Sequence, residues 1–307
     1  MSAPRLPSSI VVLERGWLSA NNIVGIDGDT ATLIDSGYVG HAEQTLALVD
    51  HAMGSRQLTW LVNTHCHSDH MGGNHALQTH HACRTSLPVG EAAVIDRWDD
   101  KELILGYADQ RADRFRYDDT FADGDVLRMG AIDWQVIGAP GHDDNAVMFF
   151  APDERVLIAG DALWQTGFGV VFGALLGDTG ALTRARETLE RIARLEVRVV
   201  IPGHGAVFND VEGALQRAFT RLAAYGDLEK LARHCVKALF TYAILDKRTM
   251  PLEQLERYLQ RVPVMIDLNR DFIRQPWDAF ARWLLADLQR AGALALVEGN
   301  IVPRIEA

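Results

Sequence analysis

Three histidines and one aspartate occupy the six residues His65-Cys66-His67-Ser68-Asp69-His70. Imidazole and carboxylate are the donors that zinc-class cations take, at about 2.0–2.2 Å. They are poor core formers, and burying them unpaired costs free energy. Packing alone therefore does not account for four of them directly behind the apolar run Leu58-Thr59-Trp60-Leu61-Val62. His65 and His67 stand two apart, so in an extended segment both point one way and Cys66 points the other. Asp69 and His70 follow where the chain turns towards a helix and can face the same cavity from another side. Three later Gly-containing turns supply matching donors: Gly141-His142, Gly160-Asp161 and Gly203-His204-Gly205. Seven potential ligands exceed the needs of one tetrahedral ion and suit two ions that share a carboxylate.

Rigid strand ends must hold these donors. Ile10–Leu13, Asn22–Ile26 and Thr30–Ile34 read as an antiparallel meander that ends at the acidic turn Asp35-Ser36-Gly37. A helix follows over 41–53, then the buried strand Leu58–Val62, a short helix after Gly72-Gly73, a strand over Ala82–Thr85 and a helix from Pro88. This alternation implies a mixed sheet with helices outside. Residues 97–118 read as a helical excursion over the site. Ile132–Ile137, Ala146–Phe150, Arg155–Ile158 and Val197–Ile201 read as further strands, and three of the four lead into one of the donor turns. Thr179–Leu195, with Thr179 as N-cap, and Val211–Tyr225 read as helices. Residues 162–178 form a loop rich in glycine and aromatic residues, including Trp164, Phe168 and Phe172. These three, with Trp17 and Tyr38, are candidates for lining a pocket.

The character changes after Gly226. Helices over Leu228–Leu245, Pro251–Leu259 and Asp278–Arg290 precede a hairpin from Ala293 to Val302 turning at Gly299-Asn300, a winged-helix-like arrangement. Two domains are expected, 1–226 and 227–307. The formal net charge is -11, and residues 227–307 contribute about +1 of it, so the main body is strongly acidic. That disfavours nucleic acid as a partner and favours a small molecule. No apolar run approaches a membrane span, and Met1–Ser9 carries no apolar leader segment. Three cysteines without a CxxC pair suit a reducing, cytoplasmic setting. Cys66 reads as a packing residue, and isolated histidines such as His234 read as surface or locally hydrogen-bonded groups.

The set Thr64-His-Cys-His-Ser-Asp-His-Met-Gly-Gly, Gly141-His142, Gly160-Asp161 and Gly203-His204-Gly205 resembles the metallo-β-lactamase-fold hydrolases, over roughly residues 9–226. The resemblance implies an α+β fold, a four-layer αββα sandwich with the site at one edge between two sheets. It implies His65, His67 and His142 as ligands of one metal, Asp69, His70 and His204 as ligands of a second, and Asp161 as a bridge. The cofactors would be two divalent ions, zinc first, with iron or manganese as alternatives. Asp35 would support the site without binding metal. A shared hydroxide would attack an ester-like centre, with Asp69 orienting it or shuttling its proton. No side-chain nucleophile is needed, in keeping with the absence of a G-x-S-x-G elbow.

The form Thr-His-x-His-x-Asp-His-x-Gly-Gly-Asn looks like glyoxalase II, which favours thioesters or related small acyl compounds, although the tail does not match that enzyme's glutathione-binding region. Competing expectations are a single-strand endoribonuclease or phosphodiesterase with a winged-helix-like tail, and a mononuclear iron enzyme like the persulfide dioxygenases. A non-catalytic ligand-sensing regulator, its tail mediating homodimer formation or effector contact, is a further alternative.

Overall fold

The computed structural model describes residues 4–305; the first three and last two residues of the two expected domains lie outside the described residues. One sheet holds six strands in sequence order, β1 (Ile10–Leu13), β2 (Asn22–Asp27), β3 (Thr30–Ile34), β4 (Gln57–Val62), β5 (Arg84–Pro88) and β6 (Asp119–Phe121). Its first three strands form the expected meander, and β3 to β6 run parallel. The second sheet holds β7 (Val126–Met129), β8 (Ile132–Gly138), β9 (Val147–Ala151), β10 (Val156–Gly160) and β11 (Val199–Pro202), antiparallel except for β10–β11.

The first half of the chain supplies helices α1 (Ala42–Met53), α2 (Ser68–Met71), α3 (Asn74–His81) and α4 (Val89–Arg97). After β10 come α5 (Phe172–Leu175), α6 (Ala181–Arg194), α7 (Val211–Ala224) and α8 (Leu228–Lys247). The last part holds α9 (Leu255–Leu259), α10 (Pro263–Leu268) and α11 (Trp277–Arg290). A small third sheet, in the order β12 (Met250–Pro251), β14 (Asn300–Pro303), β13 (Leu294–Val297), closes the chain.

Strand alternation explains the layering. Ile23, Ile34 and Val62 face the second sheet and pack with Trp134, Phe149, Ile158 and Ile201. Their neighbours Val24, Leu33 and Leu61 point to the opposite face, against Val49, Met53 and Leu77 of α1 and α3. The outer face of the second sheet, through Met148, Phe150, Leu157 and Val200, packs on Leu189 of α6 and Leu222 of α7. The result is the four-layer αββα sandwich, an α+β fold. The outer core runs on without a break into Leu239 and Phe240 of α8 and Phe280 and Leu284 of α11, so the tail packs on the helical layer behind the second sheet.

Three local expectations differ from the structure. Residues 97–118 are not a helix beyond Arg97: Trp98, Ile104 and Asp109 have positive φ, and only a short 3-10 turn forms at Gly106–Ala108. The Asp100 carboxylate accepts the backbone N–H groups of Gly106 and Tyr107, each at 3.0 Å, and so competes with a helix. Helix α6 starts at Ala181, and the Asp178 carboxylate, not Thr179, accepts the Gly180 N–H at 2.8 Å. Residues 250–251 pair with β14 instead of opening a helix.

Candidate metal centre

All seven predicted donors converge where the two sheets meet. The loop after β4 delivers His65 and His67, and the short α2 delivers Asp69 and His70. His142 lies in the loop after β8, Asp161 follows β10, and His204 follows β11. Ser19 to Asn22 staples these turns together. The Ala20 N–H donates to Asp69 O at 2.9 Å and the Asn21 N–H to Gly203 O at 2.7 Å. The Asn21 side chain donates to the Pro202 and Gly205 carbonyls at 2.9 and 2.8 Å.

The donors form two groups, His65/His67/His142 and Asp69/His70/Asp161/His204, the ligand atoms of each lying within 4.8 Å of one another. His65 Nε2 is 3.1 Å from His67 Nδ1, which is 2.8 Å from His142 Nε2. Asp161 faces both groups: Oδ2 lies 3.3 Å from His142 Nε2, and Oδ1 lies 3.4 Å from His70 Nε2. Asp69 Oδ2 is 2.9 Å from His204 Nε2 and 3.6 Å from His70 Nε2.

Outer contacts fix the ring orientations. His142 donates Nδ1–H to Val170 O at 2.7 Å, and His70 Nδ1 is 2.8 Å from Asp35 Oδ2. Asp35 also accepts from the Thr64 N–H and hydroxyl, each at 2.8 Å. A partner on the outer nitrogen leaves Nε2 to face the cavity as a ligand atom. His70 Nε2 is buried and has no hydrogen-bond partner. A His67 nitrogen within 3.1 Å of two other ring nitrogens, and a buried His70 nitrogen without a hydrogen-bond partner, fit cations better than they fit one another, so the residues present suit a pair of metal ions.

Electrostatics separates the two groups. Burial, with the neighbouring histidines adding to it, holds His65 far below the ordinary imidazole pKa. Burial brings His67 and His142 to about 4. Burial also acts against charge on His70, but Asp35, Asp69 and Asp161 outweigh it and hold its pKa well above the usual value. Asp69 and Asp161 are pulled down despite burial, by His70 and His204.

A cavity of about 440 Å³ opens onto the cluster. Trp17, Trp164 and Phe172 line it, with Ile104, Leu239 and Leu288 contributing further apolar wall. Trp17 stacks on His204 with centroids 5.5 Å apart and is itself 40% exposed, at the mouth. Phe168 and Tyr38 do not join the lining: Phe168 packs on Tyr225, and Tyr38 is buried with Leu18 and Leu245. Cys66 sits in an apolar cluster with Met71 and Leu87. His234 is not a surface group but part of the cavity wall. Sequence reasoning missed Tyr242 of α8, whose hydroxyl donates to Asp69 Oδ2 at 3.1 Å and lies 3.4 Å from His204 Nε2. Its only signal was its place in an amphipathic helix with no motif around it. Among the described residues no helix is long and apolar enough to cross a membrane.

The family model of the Metallo-beta-lactamase superfamily matches residues 15–204. A hydroxyacylglutathione hydrolase of Hyphomonas neptunium is 29% identical over 145 residues, 46% of this chain and 47% of that protein. One from Nitrobacter winogradskyi is 33% identical over 115 residues, 38% of each. The chain thus spans half or less of the length of these relatives. Among solved structures, a metallo-beta-lactamase family protein from Thermus thermophilus superposes with a TM-score of 0.59 at 19% identity, covering 98% of this chain and 100% of that one. The BLEG-1 B3 metallo-beta-lactamase gives 0.56 at 22% identity, over 67% of this chain and 96% of that one. At these identities the structural likeness concerns the fold.

Proposed function

This chain belongs to the metallo-β-lactamase superfamily, and from that premise we propose that it is a metal-dependent hydrolase of small ester-like acyl compounds, thioesters foremost. His65, His67 and His142 would hold one divalent cation, Asp69, His70 and His204 a second, and Asp161 would serve both through its two oxygens. The nitrogen-rich donor set favours zinc, with iron or manganese able to use the same residues. Bound there, such ions supply Lewis acidity towards a carbonyl oxygen and bring the pKa of a coordinated water near neutrality.

The chain's own residues supply the rest. Asp69 is the group suited to take the proton of an attacking water and pass it on, its carboxylate held by His204 and Tyr242 at 2.9 and 3.1 Å. Asp35 and the Val170 carbonyl keep His70 and His142 in position. Trp17, Trp164 and Phe172 offer an apolar acyl group a surface that excludes water. The observation that carries this reading is the opening of both donor groups directly into an apolar cavity. The thioester preference draws support from the hydroxyacylglutathione hydrolases among its relatives. Three buried, unpaired cysteines favour a reducing, cytoplasmic setting.

The test is a panel of thioesters, lactones, phosphodiesters and β-lactams, assayed beside elemental analysis of the purified protein. Turnover of thioesters with about two metal equivalents bound is the expected result. Metal-free protein that regains no activity with zinc, iron or manganese on any member would overturn the proposal.

A further inference from the structure

The cavity has two chemically different ends, and α8 measures the distance between them. Tyr242 marks the metal end through its bond to Asp69. Lys237 and His234 line the same cavity further back along α8, five and eight residues away. At 1.5 Å per residue these positions lie about 8 and 12 Å from Tyr242 along the helix axis. Arg221 of α7 lines this end as well. It stands one turn before Tyr225, whose ring is 5.5 Å from that of His234.

The carboxylates lining the cavity are Asp69 and Asp161, both at the metal end. At the other end, Lys237 is neutralised by Asp287 at 2.8 Å. Arg221 has no hydrogen-bond or ion-pair partner among the described residues. Its guanidinium lies flat against Gly167, where an added Cβ would meet Nη1 at 2.4 Å. In a chain of net charge -11, an uncompensated guanidinium on the wall of a largely apolar cavity calls for an anion.

We infer that the substrate carries a carboxylate or phosphate remote from its scissile carbonyl and that Arg221 binds it. The anion belongs either to the acyl arm or to the leaving thiol arm. This inference rests on the hydrolase reading for its scissile bond and on the cavity alone for its anion.

The experiment uses matched thioesters of five-, seven- and nine-carbon acids ending in carboxylate or in carboxamide, and a second set with the same groups on the thiol arm. On one arm the carboxylate should raise kcat/KM about tenfold or more, mainly through KM. In Arg221→Gln that ratio should collapse, and Arg221→Lys should restore part of it. A wild-type enzyme indifferent to the terminal charge on both arms, or an Arg221→Gln protein that keeps the preference, overturns the inference. If no thioester turns over, the hydrolase reading fails separately, and quenching of tryptophan fluorescence by nonanedioic acid, against its diamide, decides. Saturable quenching that disappears in Arg221→Gln supports the anion site, and quenching that is absent or identical for acid and diamide overturns it.

Discussion

The hydroxyl of Tyr242 lies 3.1 Å from Oδ2 of Asp69, although 173 residues separate them in sequence. The contact ties α8 to the short helix that carries two of the seven donors, and the Asp69 carboxylate then has two hydrogen-bond partners, Tyr242 and His204. Tyr242→Phe removes one hydrogen bond to a charged group and keeps the buried ring. Such bonds are worth about 1.5–3 kcal/mol. The expected outcome is a kcat lowered roughly tenfold or more with metal content and thermal midpoint nearly unchanged. Elemental analysis beside steady-state kinetics checks this, and loss of metal in Tyr242→Phe would show that the tyrosine holds the site together and does not merely orient Asp69.

Asp161 offers one oxygen to each donor group, at 3.3 Å from His142 Nε2 and 3.4 Å from His70 Nε2. Asp161→Ala should therefore lower occupancy of both metal positions and abolish turnover, while Asp35→Asn should act on one. Asp35 touches His70 alone among the donors, and loss of such an outer partner typically costs 10–100-fold in metal affinity. Competition with a chromogenic chelator separates the cases. Two tightly bound ions in Asp161→Ala would refute the bridging role.

How much of this was legible follows from the kind of signal each residue leaves. The seven donors share short spacings with glycine turns, and strand ends bring them together, so type and position sufficed. The switch between a meander and alternating strands and helices gave a mixed sheet with helices outside, while the four-layer sandwich came from the resemblance carried by the donor motifs. Tyr242, Arg221 and His234 sit in helices whose pattern reports only an amphipathic face, and their meaning depends on how α7 and α8 dock on the cavity. The stretch 97–118 is charged and aromatic with no clean period to decide its form, and Asp100 diverts the backbone N–H groups of Gly106 and Tyr107 from a helix.

His234 makes stability depend on pH. Burial, with Arg221 and Lys237 adding to it, brings its pKa to about 4 in the folded chain, against about 6.5 when unfolded. The unfolded state then binds more protons between these values, so His234 erodes stability as pH falls from about 6.5 towards 4, and the loss is complete below that window. Discounted for the partial exposure of the ring, the effect is on the order of 2 kcal/mol. Urea midpoints measured from pH 7.5 to 4.5 should fall more steeply in the wild type than in His234→Gln. Parallel curves would mean that the imidazole is already solvated in the fold.

Two glycines of the Gly203-His204-Gly205 turn separate steric from conformational demand. A Cβ on Gly203 would lie 2.2 Å from Asp161 Oδ1, closer than real contacts allow, and a tight 3.0 Å from the backbone carbon of Gly160. The side chain that must yield is Asp161, so Gly203→Ala displaces the carboxylate that faces both donor groups. Gly205 has φ of 84°, and a Cβ there meets nothing within 4 Å. Gly205→Ala thus carries only the backbone penalty of a left-handed residue, about 1–2 kcal/mol. The expected outcome is that Gly203→Ala loses metal and at least a hundredfold in kcat/KM, which is about 2.7 kcal/mol of transition-state stabilisation. Gly205→Ala should lower the thermal midpoint while binding metal as the wild type does. Because both variants carry the same added methyl two residues apart, metal loss in Gly205→Ala equal to that in Gly203→Ala would point to general loosening of the turn. Loss confined to Gly203→Ala would tie occupancy to the placement of Asp161.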